Sequence, residues 1–382
     1  MSKRRFQKSV VISTLIILII VLWVAVFFTM NNNKQKTAGN TSTIKEARST
    51  DALDDALLKR TQLGVDNLTS KSKRESLEKV FGKIVKEHYA GAYLATNNAS
   101  VVFSGQHGYA NTEMDTNFKV NSSFVIGNYQ DIINDALLLK MAQNGDLKTS
   151  DTISKYITSA TGLGKMTIHS LLVGDSKLYL KKNTAKKLVN DNSVYKSNLN
   201  LYHSDSSNRL SANALVKMLI LEKVSGERYK TFIKHELEQN LNLSDVRFYQ
   251  ENSIVQANDV KGYKYKTKNR IPVQHDVISY RATHYGNSQL RLSLSDIVSI
   301  NHQFFGNKYF SKKYNSIFYD SVENVTGSTI SNQQFNYYNN SAGQYLAIKM
   351  TNDGKKITVV AANFPNKGLT NQSLVKKLYS LY

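Results

Sequence analysis

Residues Val10 to Met30, VVISTLIILIIVLWVAVFFTM, form 21 consecutive positions without a charge. At ~1.5 Å of rise per residue, a helix of that length spans a ~30 Å bilayer core. A cleavable signal peptide would carry a shorter apolar stretch, of about 7–15 residues, closed by a small-x-small site. This run has neither, so it reads as an uncleaved signal anchor. Lys3, Arg4, Arg5 and Lys8 precede it, and Asn31, Asn32 and Asn33 follow. The positive-inside rule then makes 1–9 a cytoplasmic basic tail and exports everything after Met30. The expectation is a single-pass cell-membrane protein with an extracellular C-terminal part.

That topology decides what the charge means. The sequence has 50 Lys+Arg against 29 Asp+Glu, a formal net charge of +21. Four basic residues precede the anchor, so the exported part carries 46 Lys+Arg against 29 Asp+Glu, or +17. On an exported domain such a surface meets anionic lipid or an anionic cell-wall polymer rather than nucleic acid, or is simply well solvated. The absence of cysteine excludes a disulfide scaffold and thiol catalysis. The eight histidines show no metal-ligand spacing, and no glycine-rich phosphate loop is present. No metal and no cofactor are expected.

Residues 31–66 are polar and lack sustained apolar periodicity, which predicts a linker. From 67 to 382 the pattern is that of one folded domain. Leu77, Val80, Phe81, Ile84 and Val85 predict a helix over Ser76 to Glu87, and GAYLATNNASVVFS predicts two strands around an Asn-Asn turn. An amphipathic helix through Ile132 and Met141 stops at Gly145, and a long helix runs from about Ser211, a candidate cap, to Val224 and ends at Gly226. QYLAIKM and KKITVVAANF flank Asn352-Asp353-Gly354 as a hairpin, and Gln372 to Leu381 closes as a helix. Strands at both ends with helices between them predict an α/β or α+β domain whose sheet joins the two ends of the domain.

Several segments, in order, carry a resemblance. They are GAYLATNNASVVFSGQHGYAN, SSFVIGN with its helix and NGDLKTSDTISKYI, MTIHSLLVGDSKL, ILEKVSGERYKTFI with NLNLSDVRF, YGNSQLRLSLSDI, and ANFPN after the last hairpin. The series resembles the serine β-lactamase and penicillin-binding-protein group, in its class C-like branch of esterases and D,D-peptidases, across roughly residues 70 to 382. The resemblance implies a β-lactamase/transpeptidase-like fold, an antiparallel sheet flanked by helices with a mostly helical subdomain.

The same resemblance implies acyl transfer through Ser-x-x-Lys at the start of the first helix, hydroxyl and amine one turn apart. Asn128 and Asp131 stand at those positions. Asn128 has no hydroxyl to acylate, and Asp131 puts a carboxylate where the family has an ammonium. The pair also reads as a helix cap with an acid three residues on. Literal Ser-x-x-Lys strings begin at Ser42, Ser70, Ser76, Ser193 and Ser373, none after a strand and a glycine turn; Ser122 and Ser123 read as turn residues. The family's second motif falls either on Tyr202-His203-Ser204 or on Ser206-Ser207-Asn208, and the third on Val325-Thr326-Gly327, which keeps Thr and Gly and loses the cation. Polar loop residues ahead of a helix explain the second motif equally well.

The function expected from this is a membrane-anchored pseudoenzyme that binds a peptidoglycan peptide or a teichoic-acid-like polymer. Tyr202, Ser204, Ser206, Asn208, Thr326 and Gly327 would be the remaining recognition groups. Two alternatives stand beside it: an active serine hydrolase of D,D-peptidase, β-lactamase or esterase type using another serine, and a scaffold for cell-envelope enzymes.

Overall fold

The structure, a computed structural model, describes residues 66–382 apart from 113, 120, 189–192, 195–197, 249–258, 266–271, 275–284 and 307–308. The anticipated tail 1–9, anchor 10–30 and all but the last residue of the linker 31–66 lie outside the described residues. No helix among the described residues is long and apolar enough to cross a membrane.

The domain opens with helix α1 (Lys71–Lys86) and the hairpin β1 (Gly91–Asn97) and β2 (Ser100–His107). Strand β3 (Phe124–Val125) leads into helix α2 (Tyr129–Asn144). Strands β4 (Tyr179–Lys181) and β5 (Arg209–Ser211) form a small antiparallel pair before helix α3 (Asn213–Ser225). Strands β6 (Arg247–Phe248) and β7 (Leu290–Leu292) join β3 in a three-stranded sheet ordered β6-β7-β3. Helices α4 (Leu294–Phe305) and α5 (Lys312–Glu323) follow. The chain closes with strands β8 (Ser328–Ser331), β9 (Gln334–Ser341), β10 (Gln344–Thr351) and β11 (Lys356–Ala362) and helix α6 (Asn371–Tyr379).

The main sheet is antiparallel and ordered β8-β9-β10-β11-β1-β2, so the first and last strands of the domain meet in its interior, Gly91 opposite Ala362. Ile357 to Ala362 are buried without alternation. Successive residues of a strand point to opposite faces, so both faces of β11 are covered. Helix α6 packs on β10 and β11, and α4 packs on β11 and β1.

The expected elements are present with shifted ends. Helix α1 begins five residues before Ser76. The first hairpin turns on Asn98 and Ala99, both at positive φ, one residue beyond the Asn-Asn pair. Gly145 and Gly226 end α2 and α3 in the left-handed conformation that glycine adopts without strain. Ser211 does not cap α3: it pairs with Tyr179 within β5, and Ala212 holds the cap position. Helix α2 is buried on nearly all sides, packed against α3 and α5.

Candidate functional site

The turn between β3 and α2 is Ile126-Gly127-Asn128, with Gly127 at φ +62°. A Cβ on Gly127 would overlap Asn339 Oδ1 and Ser341 Oγ, so the end of β9 lies directly on this turn. Only glycine meets both the positive φ and the close approach. From the other side comes the segment ahead of β7, where Ser288 N donates to the Gly127 carbonyl at 3.3 Å.

Buried side chains bolt the turn in place. Gln130 Oε1 accepts from the backbone N–H groups of Gln289 (2.8 Å) and Leu290 (2.9 Å), and its Nε2 donates to Tyr229 Oη at 2.9 Å. The Tyr229 hydroxyl donates to Asn134 Oδ1 at 2.6 Å, and Asn134 Nδ2 reaches the Gly286 carbonyl at 2.8 Å. Burial pushes the Tyr229 hydroxyl far above its usual range, so it stays a neutral donor. Partnered at each of these atoms, such a network fixes one geometry.

Amides line the turn. Asn128 is half-buried; its Oδ1 accepts from Asn287 Nδ2 at 2.8 Å, and its Nδ2 approaches the Thr326 carbonyl at 3.4 Å. The anticipated cap bond does not form. Asn128 already has helical backbone angles, φ −63° and ψ −9°, and makes no side-chain cap. An N-cap residue ordinarily has extended backbone angles, which let its side chain reach the N–H groups of the first turn.

Asp131 is committed elsewhere. Lys217 projects from α3 into the helix contact, its side chain 4% exposed, and its Nζ lies 3.1 Å from Asp131 Oδ2 and 2.6 Å from Asp135 Oδ1. Asp131 and Asp135 are four residues apart on α2 and so share a face. Burial acts against the Lys217 ammonium, yet the two carboxylates outweigh it and raise its pKa. Asp135, fully enclosed, is pushed up to about 7, chiefly by burial and also by Asp131, with Lys217 opposing. An ammonium locked between two carboxylates has no lone pair with which to take a proton from a hydroxyl.

Two serines border the turn. Ser288 Oγ donates to Asn287 Oδ1 at 2.9 Å, and Ser341 Oγ donates to Asn339 Oδ1. A side-chain amide oxygen accepts a hydrogen bond without serving as a base near neutral pH, so neither contact activates its hydroxyl.

The other anticipated stations divide. Thr326 and Gly327 stand just ahead of the edge strand β8; Gly327 has φ +98°, and its carbonyl accepts from Tyr338 N at 2.9 Å. Val325 is 4% exposed and belongs to the core, so it presents no group at the turn. Tyr202 exchanges backbone hydrogen bonds with Tyr179, and its ring lies against Arg209 and Lys181. Ser204, Ser206 and Asn208 are exposed on the loop before β5. Ser204 accepts from Arg209 Nη1, the Ser206 carbonyl from Arg209 N, and the Asn208 carbonyl from Lys182 N. These contacts tie both registers of the second motif to the β4–β5 pair. The turn's own partners, Asn287, Asn339, Ser341 and Lys217, were not singled out from the sequence. Lys217 did carry a signal, as the only charge within the apolar stretch ALVKMLIL. Among the described residues no group of three or more His, Asp or Glu is placed to hold a metal ion.

No protein-family model matches the chain. The chain is 22% identical over 315 residues to a Bacillus subtilis (strain 168) protein named as penicillin-binding protein PbpX, covering 80% of this chain and 78% of that one. It is 22% identical over 245 residues to the teichoic acid D-alanine hydrolase of Staphylococcus aureus (strain MRSA252), covering 63% of this chain and 61% of that relative. The crystal structure of FmtA from Staphylococcus aureus superposes with a TM-score of 0.65 at 20% identity, over 86% of this chain and 95% of that one. Homologues and structural neighbours together show that the chain has the fold of the β-lactamase and penicillin-binding-protein-like family, which it resembles in sequence as well.

Proposed function

We propose that this protein is a cell-envelope pseudoenzyme, held at the membrane by residues 10–30 with its folded domain outside. It binds a wall component, a peptidoglycan peptide or an anionic wall polymer, at the amide-lined turn without forming an acyl-enzyme. The observation that carries the reading is the pairing of Asp131 with Lys217. Where the family resemblance calls for a hydroxyl and a proton-accepting amine, this chain has an amide and a carboxylate, and the nearby ammonium is consumed in a buried ion triad. The wall assignment draws on the named substrate of one relative, teichoic acid D-alanine. Asn128, Asn287 and Asn339 offer N–H donors and C=O acceptors together, which suits the amide, ester and hydroxyl groups of wall polymers.

The test is intact-mass spectrometry of the chain after incubation with a fluorophosphonate and, separately, with a penicillin. No adduct on folded protein is the expected result. A stoichiometric adduct mapped to one serine, Ser288 or Ser341 in particular, would overturn the reading in favour of an active hydrolase.

A further inference from the structure

The segment Lys177 to Lys187, KLYLKKNTAKK, has five lysines in eleven residues and no acid. It folds as β4 and a single helical turn, Lys182–Ala185, and all five lysines are exposed. In the β4–β5 pair Lys181 stands directly opposite Arg209. Like charges facing each other across a strand pair are unfavourable unless an anion joins them.

Both cations are organised over one aromatic ring. Arg209 Cζ lies 4.0 Å and Lys181 Nζ 5.5 Å from the centroid of Tyr202. Arg209 is held further through Nη1, which donates to the Ser204 carbonyl at 2.7 Å and its hydroxyl at 2.6 Å. A guanidinium stacked and anchored in this way is pre-organised for a phosphate oxygen pair. Among the described residues, the ion pairs involve other cations, and none of the six basic groups is neutralised by a carboxylate.

The β4–β5 pair that carries the strip is linked to the amide-lined turn through the segment Tyr285 to Asn287. Tyr285 lines one small cleft together with Leu180, Leu210 and Ser211 of the β4–β5 pair. The next residue, Gly286, sits so close to the Ala214 carbonyl at the start of α3 that a Cβ there would overlap it, and Asn287 bonds Asn128. Three consecutive residues therefore run from the β4–β5 pair to the turn.

We infer that Lys177, Lys181, Lys182, Lys186, Lys187 and Arg209 form a docking strip for a phosphodiester-linked polymer, which leads that polymer's substituents to Asn128. The inference rests on the wall-binding reading above and specifies its surface. A polymer fits better than a bilayer, because the only exposed large hydrophobic among the described residues is Met114, outside the strip. Membrane-surface elements need an apolar face to insert.

The test uses the full chain in nonionic micelles and fluorescently labelled poly(glycerol phosphate) of fixed length, read by anisotropy. Lys181→Gln/Arg209→Gln should weaken binding about tenfold, and the slope of log affinity against log salt should fall by roughly 1–2, as for two lost phosphate contacts. Lys186→Gln/Lys187→Gln, which touches only exposed side chains, should weaken it severalfold and serves if the first variant misfolds. Lys312→Gln/Lys313→Gln, an equal charge change on α5, should stay within about twofold. Equal losses in all three variants would overturn the strip, since net charge alone would then explain binding. Binding to phosphatidylglycerol vesicles without binding to the polymer would overturn it in favour of a lipid surface. A serine adduct in the mass experiment would remove the pseudoenzyme reading yet leave these affinities unchanged, so the two failures are distinct.

Discussion

At the scale of single residues, the pairing of Asp131 with the buried Lys217 decides which charge position 131 can carry. A lysine there would point its ammonium at Lys217, leaving two buried cations against the single carboxylate of Asp135. Introducing the Ser-x-x-Lys pair that the sequence resemblance implies, Asn128→Ser/Asp131→Lys, should therefore destabilise the protein, by about 3–5 kcal/mol, the range for breaking a buried ion pair. Adding Lys217→Leu should recover most of the loss, because the introduced ammonium could then pair with Asp135 one turn along the same helix. Urea midpoints for the double and triple variants decide the matter; a double variant as stable as the parent would show that the triad does not hold the site in its present form. A lysine at position 131 of α2 is thus tied to position 217 of α3, and the two must change together.

At the scale of elements, the turn between β3 and α2 depends on its glycine. Gly127→Ala must adopt a positive φ and push against Asn339 and Ser341. We expect a loss of about 1–3 kcal/mol, the usual range for held backbone strain, measurable as a lower urea midpoint. An unchanged midpoint would mean that β9 yields easily at this contact. This turn was legible in the sequence because a glycine after a short apolar strand and before a helical run of apolar residues is a local signal. The main hairpins and the glycine stops of α2 and α3 were legible for the same reason. What surrounds the turn was not. Asn287 and Asn339 lie 159 and 211 residues along the chain from Asn128, and nothing within a few residues of either marks it as a neighbour. The misread caps share a cause: Asn128 and Ser211 are good capping residues by type, but a tertiary hydrogen bond claims the first and strand pairing the second.

At the scale of the whole molecule, positive charge is in excess and mutual repulsion opposes the compact state. Moderate salt screens exposed charges over about 10 Å and leaves the buried triad nearly untouched. Thermal unfolding should therefore move to higher temperature when sodium chloride is raised from about 0.01 M to about 0.15 M, a range over which the screening length falls from ~30 Å to ~8 Å; a downward shift would mean that surface ion pairs outweigh the repulsion. The meeting of β1 with β11 inside the main sheet has a consequence for the order of assembly. A chain synthesised or threaded across a membrane from its N-terminus presents β1 long before β11 exists, so one side of an interior strand waits unpaired while all the helices between them are made. Closure of the domain is then timed by the arrival of its last strand, and until that moment the waiting edge is the part of the molecule most in need of a chaperone.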